Sequence, residues 1–125
     1  MNKIKNKKIA FLGVTFKSNT DDMRESTSLI MIPMLHKKGA RIKYYDPSGI
    51  KKEFSKFKNV EYCEDISSTC NNADLVIIHT EWDEFKSIDF KKLVRKKYFK
   101  VFDMRNLYSV HYMKKKGIKY YSIGR

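Results

Sequence analysis

Short apolar runs that end in a glycine or a polar residue alternate along the chain with stretches of helical spacing. This alternation is what most constrains the fold. Residues 8–13, Lys-Ile-Ala-Phe-Leu-Gly, form a continuous apolar run closed by Gly13. A strand covered on both faces reads this way, because neither face needs polar residues. Residues 26–38 follow, with apolar side chains at 29, 30, 32, 34 and 35, a helical stripe that Gly39 can end as a C-cap. Pro33 lies inside that stripe. A proline in a helix interior costs about 3 kcal/mol, so a kink or a late start is expected there.

A second strand over 42–45 closes on the turn signal Asp46-Pro47-Ser48-Gly49. Residues 50–57 read as a short helix or loop and 60–63 as a short edge strand. Residues 66–73 read as a helix with Asp65 as its cap. The run 74–79 is the most strand-like of all. Helical material at 84–97, a strand at 100–103, a helix at 110–116 stopped by Gly117, and a strand at 118–123 complete the chain. Strand and helix alternating at this spacing imply crossover units. The expected class is α/β: a three-layer, Rossmann-like open sheet, mostly parallel, of about six strands flanked by helices.

Composition narrows the function. The chain has 125 residues, 42% hydrophobic and 14% aromatic. That suits one packed domain and excludes a disordered chain. No apolar run approaches the roughly 20 residues of a membrane helix. The N-terminus runs straight into a strand without a secretory signal, which leads us to expect a cytoplasmic protein with no membrane partner. Cys63 and Cys70 read as ordinary thiols, and His36, His79 and His111 lack metal-ligand spacing. The net charge is +13, mostly lysine in short runs spread over the whole length. A basic nucleic-acid-binding module is one reading of that excess. Dispersed charge is not a groove, so a solvated basic surface that favours anionic small molecules ranks above it and no nucleic-acid partner is expected.

In an open parallel sheet, ligands sit beyond the carboxyl ends of the strands. That rule selects residues 13–24, 46–47, 80–85 and 103–108. The first of these loops holds a single glycine, so the G-x-G-x-x-G dinucleotide fingerprint is absent. It offers Lys17 and Arg24 instead, two cations flanking a helix start, where phosphate can bind. Equally, Asp21 and Asp22 could pair with Arg24 and cap the helix. Asp46 stands where a ribose-binding acid would, although Pro47 and Gly49 favour a turn. His79 ends a strand without a nucleophile nearby and reads as structural. Trp82, among Glu81, Asp83 and Glu84, reads as a helix start with acids in its first turn. Arg105 either reaches a ligand over the sheet top or ties two loops together.

Taken in order, five stretches resemble one known domain. They are Gly-Val-Thr-Phe-Lys-Ser-Asn-Thr-Asp-Asp-Met-Arg-Glu-Ser (13–26), Tyr-Asp-Pro (45–47), Ala-Asp-Leu-Val-Ile-Ile-His-Thr-Glu-Trp-Asp-Glu-Phe (73–85), Phe-Asp-Met-Arg-Asn-Leu-Tyr (102–108) and Tyr-Tyr-Ser-Ile-Gly-Arg (120–125). Together they resemble the C-terminal, UDP-binding domain of the UDP-glucose 6-dehydrogenase family. UDP-N-acetylmannosamine and GDP-mannose dehydrogenases share that domain, and Thr-Glu-Trp-Asp-Glu-Phe favours the UDP-glucose branch.

The resemblance implies an NAD-dependent oxidation of UDP-glucose to UDP-glucuronate, through a thioester on a cysteine, that feeds polysaccharide synthesis. It further implies that Phe16 and Lys17 contact the UDP-sugar, that Arg105 lies near it, and that Arg24 reaches NAD. The parent enzyme would be a homo-oligomer. This chain lacks the family's Gly-rich NAD loop, its central region and the Gly-Gly-Ser-Cys-Phe-Pro-Lys context of the catalytic cysteine. Residues 1–125 are therefore expected to be a single UDP-sugar-binding domain, inactive alone, whose partners are the remaining dehydrogenase domains or subunit. Met104 stands where the family commonly has glycine, which puts the backbone at Arg105 in question. The end at residue 125 closes the family pattern, and Met1 falls at a domain boundary.

Overall fold

The fold was described from a computed structural model covering residues 4–124. Six strands form one sheet: β1 (Lys8–Leu12), β2 (Arg41–Tyr45), β3 (Val60–Tyr62), β4 (Leu75–Ile78), β5 (Lys100–Asp103) and β6 (Lys119–Ser122). Their order is β3-β2-β1-β4-β5-β6, and every neighbouring pair is parallel. The sheet is thus wholly parallel, and β3 lies at one edge, where the short 60–63 run was expected. Four helices serve the crossovers: α1 (Ser28–Lys37), α2 (Ile66–Cys70), α3 (Phe90–Val94) and α4 (Val110–Lys115).

Alternate residues of β1 feed two cores. Ile9 and Phe11 join Ile32 and Leu35 of α1 on one face. Ala10 and Leu12 meet Cys70, Phe85, Phe90 and Met113 on the other. Both faces of β1 and β4 are covered, which is why their sequences are continuously apolar. Strand β2 alternates: Ile42 and Tyr44 are buried, and Arg41 is exposed.

Helix α1 runs through Pro33 without interruption. Proline removes one backbone bond, while burial of Ile32 and Leu35 and a well-made end retain the helix. At that end Gly39 (φ +92°) donates to the His36 carbonyl and Ala40 to the Leu35 carbonyl, a Schellman pair. The helical reading of 66–73 stops early, at Cys70, because Asn72 adopts a left-handed φ of 62°. Helical material in 84–97 divides into a 3₁₀ turn over Asp83–Phe85 and α3. Asp89 caps the start of α3 and left-handed Arg95 ends it. Asp65 and Ser109 cap α2 and α4.

Cys63 and Cys70 are free and buried. Burial pushes the Cys70 thiol up to about 12 and raises that of Cys63, so both stay protonated near neutrality. Among the described residues no helix is long and apolar enough to cross a membrane.

Candidate functional site

The strand order sets β2, β1, β4 and β5 side by side, so the four loops selected from the sequence gather at one end of the sheet. Strand order reverses between β1 and β4, and a crevice forms at such a point. The close approach of the β1 and β4 loops there depends on Gly13, whose φ is +81°. A Cβ there would lie 2.5 Å from the Thr80 Cβ and 2.8 Å from its Oγ1. The single glycine of this loop therefore brings the chain after β1 into contact with the chain after β4.

Two buried aspartates at strand ends hold the loops. Asp46 Oδ2 accepts from the Val14 and Thr15 amides at 2.7 and 3.2 Å. Its Oδ1 accepts from the Ser48 amide at 2.9 Å and the Ser48 hydroxyl at 2.6 Å. The turn reading of Asp46 is correct, and the same carboxylate also straps the β1 loop. With four donors its acceptor capacity is filled, leaving none for a ribose. Ser48 in turn accepts from the buried Lys51 amine at 2.6 Å. Asp103 repeats the arrangement beyond β5. It takes the Arg105, Leu107 and Tyr108 amides and the Tyr120 hydroxyl, the last at 2.6 Å.

Between these straps lies His79, buried as the sequence reading of a structural histidine expected. Thr80 Oγ1 donates to the Thr15 carbonyl at 2.8 Å, so it must accept from His79 Nδ1 at 3.0 Å. The proton therefore sits on Nδ1, and Nε2 accepts from the Thr27 hydroxyl at 2.8 Å. Burial, and next the Arg105 guanidinium, push the His79 pKa down to about 4 from 6.5. The unfolded imidazole titrates near 6.5, so between these values the unfolded state binds more protons. The stabilisation is complete above pH 6.5 and is lost as pH falls toward 4, by up to about 3 kcal/mol. Denaturant unfolding at pH 7, 5.5 and 4.5 should show this decline, and His79→Gln should flatten it.

Arg105 bridges these strand-end loops. Its Nε donates to the His79 carbonyl at 2.9 Å and its Nη2 to the Phe16 carbonyl at 2.8 Å. It ties the loops after β1, β4 and β5 together, and its remaining guanidinium donors stay exposed. Met104, in the position questioned from the sequence, donates its amide to the Ile78 carbonyl and packs against the α1-side core. The left-handed turn falls at Asn106 instead (φ 53°).

Phe16 and Lys17 stand on the strapped loop with exposed side chains, Phe16 at 43%. The Thr15 hydroxyl donates to the Lys17 carbonyl at 3.0 Å, fixing the backbone beneath them. Arg24 is engaged locally: it forks onto Asp22 at 3.1 Å through Nε and Nη2, with a side chain 88% exposed. Arg24 thus pairs with Asp22, and neither Asp21 nor Asp22 caps α1. Thr27 stands at the N-cap without a side-chain capping bond, and Ser26 Oγ accepts the Ser28 amide at 3.3 Å.

Sequence reasoning missed the roles of Thr27, Thr80, Ser48 and Lys51. The available signal was an aspartate ending a strand with a turn directly after it, which occurs at both Asp46 and Asp103.

The sequence matches the UDP-glucose/GDP-mannose dehydrogenase family, UDP binding domain, over residues 10–110. A UDP-glucose 6-dehydrogenase of Rhizobium meliloti (strain 1021) is 39% identical over 125 residues, covering 98% of this chain and 28% of that protein. UDP-glucose 6-dehydrogenase TuaD of Bacillus subtilis (strain 168) is 37% identical over 127 residues, covering 100% of this chain and 28% of TuaD. The chain thus spans little more than a quarter of the relatives it matches.

Among solved structures, NDP-N-acetyl-D-galactosaminuronic acid dehydrogenase from Methanosarcina mazei Go1 superposes with a TM-score of 0.84 at 26% identity, covering 98% of this chain and 26% of that one. A UDP-glucose dehydrogenase from the hyperthermophilic archaeon Pyrobaculum islandicum gives 0.73 at 28% identity, covering 94% and 25%. The wholly parallel sheet, the ordered loops at its carboxyl end and a match over four-fifths of the chain lead to one assignment: this chain belongs to the UDP-glucose/GDP-mannose dehydrogenase family and corresponds to its UDP binding domain.

Proposed function

We propose that this chain binds the nucleotide end of a UDP-sugar in the crevice between the β1 and β4 loops. The observation that carries the reading is the immobilised β1 loop. Asp46, Thr80 and Arg105 hold its backbone from three sides, while Phe16 and Lys17 project outward from it. A phosphate group there meets the Lys17 ammonium and the free guanidinium donors of Arg105. Phe16 offers its ring to the uracil or ribose. Arg24, released from its exposed and easily screened pair with Asp22, faces NAD held by another part of the enzyme.

In this reading the parent enzyme oxidises UDP-glucose to UDP-glucuronate with NAD. This domain positions the substrate and supplies no group that reacts, since both its thiols are buried and protonated. The fit to NAD is therefore peripheral: no Gly-rich phosphate loop is present, and Arg24 would supply one contact.

Titration of the chain with UDP, UDP-glucose and GDP, followed by amide chemical shifts, tests the reading. UDP and UDP-glucose should give saturable shifts at Phe16, Lys17 and Arg105, with GDP weaker. Lys17→Ala should weaken UDP by about tenfold, the loss of one charge-assisted contact. Its thermal midpoint should not move, because the side chain is exposed. An unchanged UDP affinity would remove Lys17 from the site.

A further inference from the structure

The opposite end of the sheet carries a second concentration of charge. Helix α2 has only five residues and packs over β1 and β2, leaving part of that face of the β2–β3 edge open. A cleft of about 370 Å³ results, at the amino-terminal ends of the strands. That volume falls within the range of small-ligand sites.

Lys8, Arg41, Lys43 and Lys58 line the cleft, against one carboxylate, Glu61. Lys8 and Arg41 are direct register partners on neighbouring strands, as are Lys43 and Glu61. Like charges placed opposite one another in a sheet are destabilising. Lys43 and Glu61, though aligned, do not come within ion-pair distance. The ion pairs among the described residues are Arg24–Asp22, Lys86–Asp83 and Lys96–Asp74, so none of the four cations of the cleft closes an ion pair; Asp74, next to the cleft, pairs with Lys96 and accepts the Lys8 backbone amide at 2.8 Å. The Asn71 and Asn72 amides add uncharged donors at the rim. A concave site with a surplus of three positive charges and hydrogen-bond donors on two sides is complementary to a compact polyanion. The fork of Arg41 suits bidentate phosphate contact.

We propose that this cleft is a binding site for a small polyphosphate, a group of two or three linked phosphates, distinct from the crevice at the carboxyl end. A five-residue strand separates the two by roughly 15 Å. The inference does not depend on the UDP-sugar reading, because it uses none of that site's residues.

The test is a titration with inorganic pyrophosphate and triphosphate at constant ionic strength, followed by amide shifts and calorimetry, with sulfate as the simple anion. Saturable shifts should centre on Lys8, Arg41, Lys43 and Asn72, tighter for triphosphate than for sulfate. Arg41→Gln/Lys43→Gln should weaken triphosphate by about tenfold or more. Lys114→Gln/Lys115→Gln, which removes equal charge from exposed positions on α4, should leave the affinity within about twofold. Lys17→Ala should leave it unchanged as well, which separates this site from the UDP crevice. Should the cleft double variant fail to fold, Arg41→Gln alone alters only an exposed side chain and gives the same reading. Shifts spread evenly over all the lysine runs, or equal weakening by the cleft and α4 variants, would overturn the proposal.

Discussion

Gly13→Ala should leave little folded protein. The new methyl carbon would lie 2.5 Å from the Thr80 Cβ and 3.0 Å from the Thr80 amide nitrogen, at a backbone φ of +81°. Neither neighbour is the free end of a flexible side chain, so relief requires the β1 and β4 loops to part. The left-handed conformation costs a residue with a Cβ about 1–2 kcal/mol, and overpacking adds about 1–3 kcal/mol. A loss of about 2–5 kcal/mol is a large share of the stability of a domain this size. Chemical denaturation should show a much lower midpoint or no folded baseline. Gly124→Ala is the control. Its φ is also positive, at +70°, but its Cβ would meet no atom within 4 Å, so its cost should stay near the conformational part alone.

Asp46→Ala should cost about 3–5 kcal/mol, by a different route. It strands the Val14, Thr15 and Ser48 amides, which donate to Asp46 inside the protein. It also leaves the buried Lys51 amine with a serine that no longer leads to a carboxylate. Denaturant unfolding gives the magnitude, and amide exchange gives the location. The Val14 and Thr15 amides should lose protection first, and those of β5 last. UDP binding should weaken under conditions where the variant is still folded, because the loop bearing Phe16 and Lys17 is then no longer preset. If the affinity survives such loosening, the crevice does not require a preformed loop.

The parallel sheet was legible because β1 and β4 are covered on both faces, which removes polar residues from their sequences. The edge position of β3 was legible from its shortness. Helix ends were less so. Asn72 and Arg95 take left-handed conformations that end α2 and α3; asparagine is a residue that favours this, a signal the helical reading of 66–73 overran, whereas nothing in the sequence marks Arg95. In the site, the sequence left Arg105 open between a ligand contact and a tie between loops, and the fold shows the tie. Its two acceptors are carbonyls, one of them 89 residues away, and no local pattern marks such a bond. Thr27 and Thr80 were passed over for a related reason. Their value comes from reaching opposite nitrogens of one imidazole, which only the fold brings between them.

The bonds that fix the β1 loop run almost wholly to main-chain atoms. Asp46 holds amides, while Arg105 and Thr80 hold carbonyls. Such a frame is indifferent to which side chains the loop carries at its exposed positions. Phe16 and Lys17 can therefore change in size or charge while the backbone that presents them keeps its path, whereas Asn19, left-handed at φ 62°, is held to a residue that tolerates that conformation. On the function proposed above, this separates a fixed scaffold from the side chains that would meet the nucleotide. If Phe16 and Lys17 meet the ligand as proposed, a new nucleotide preference could be grafted there without rebuilding the domain beneath.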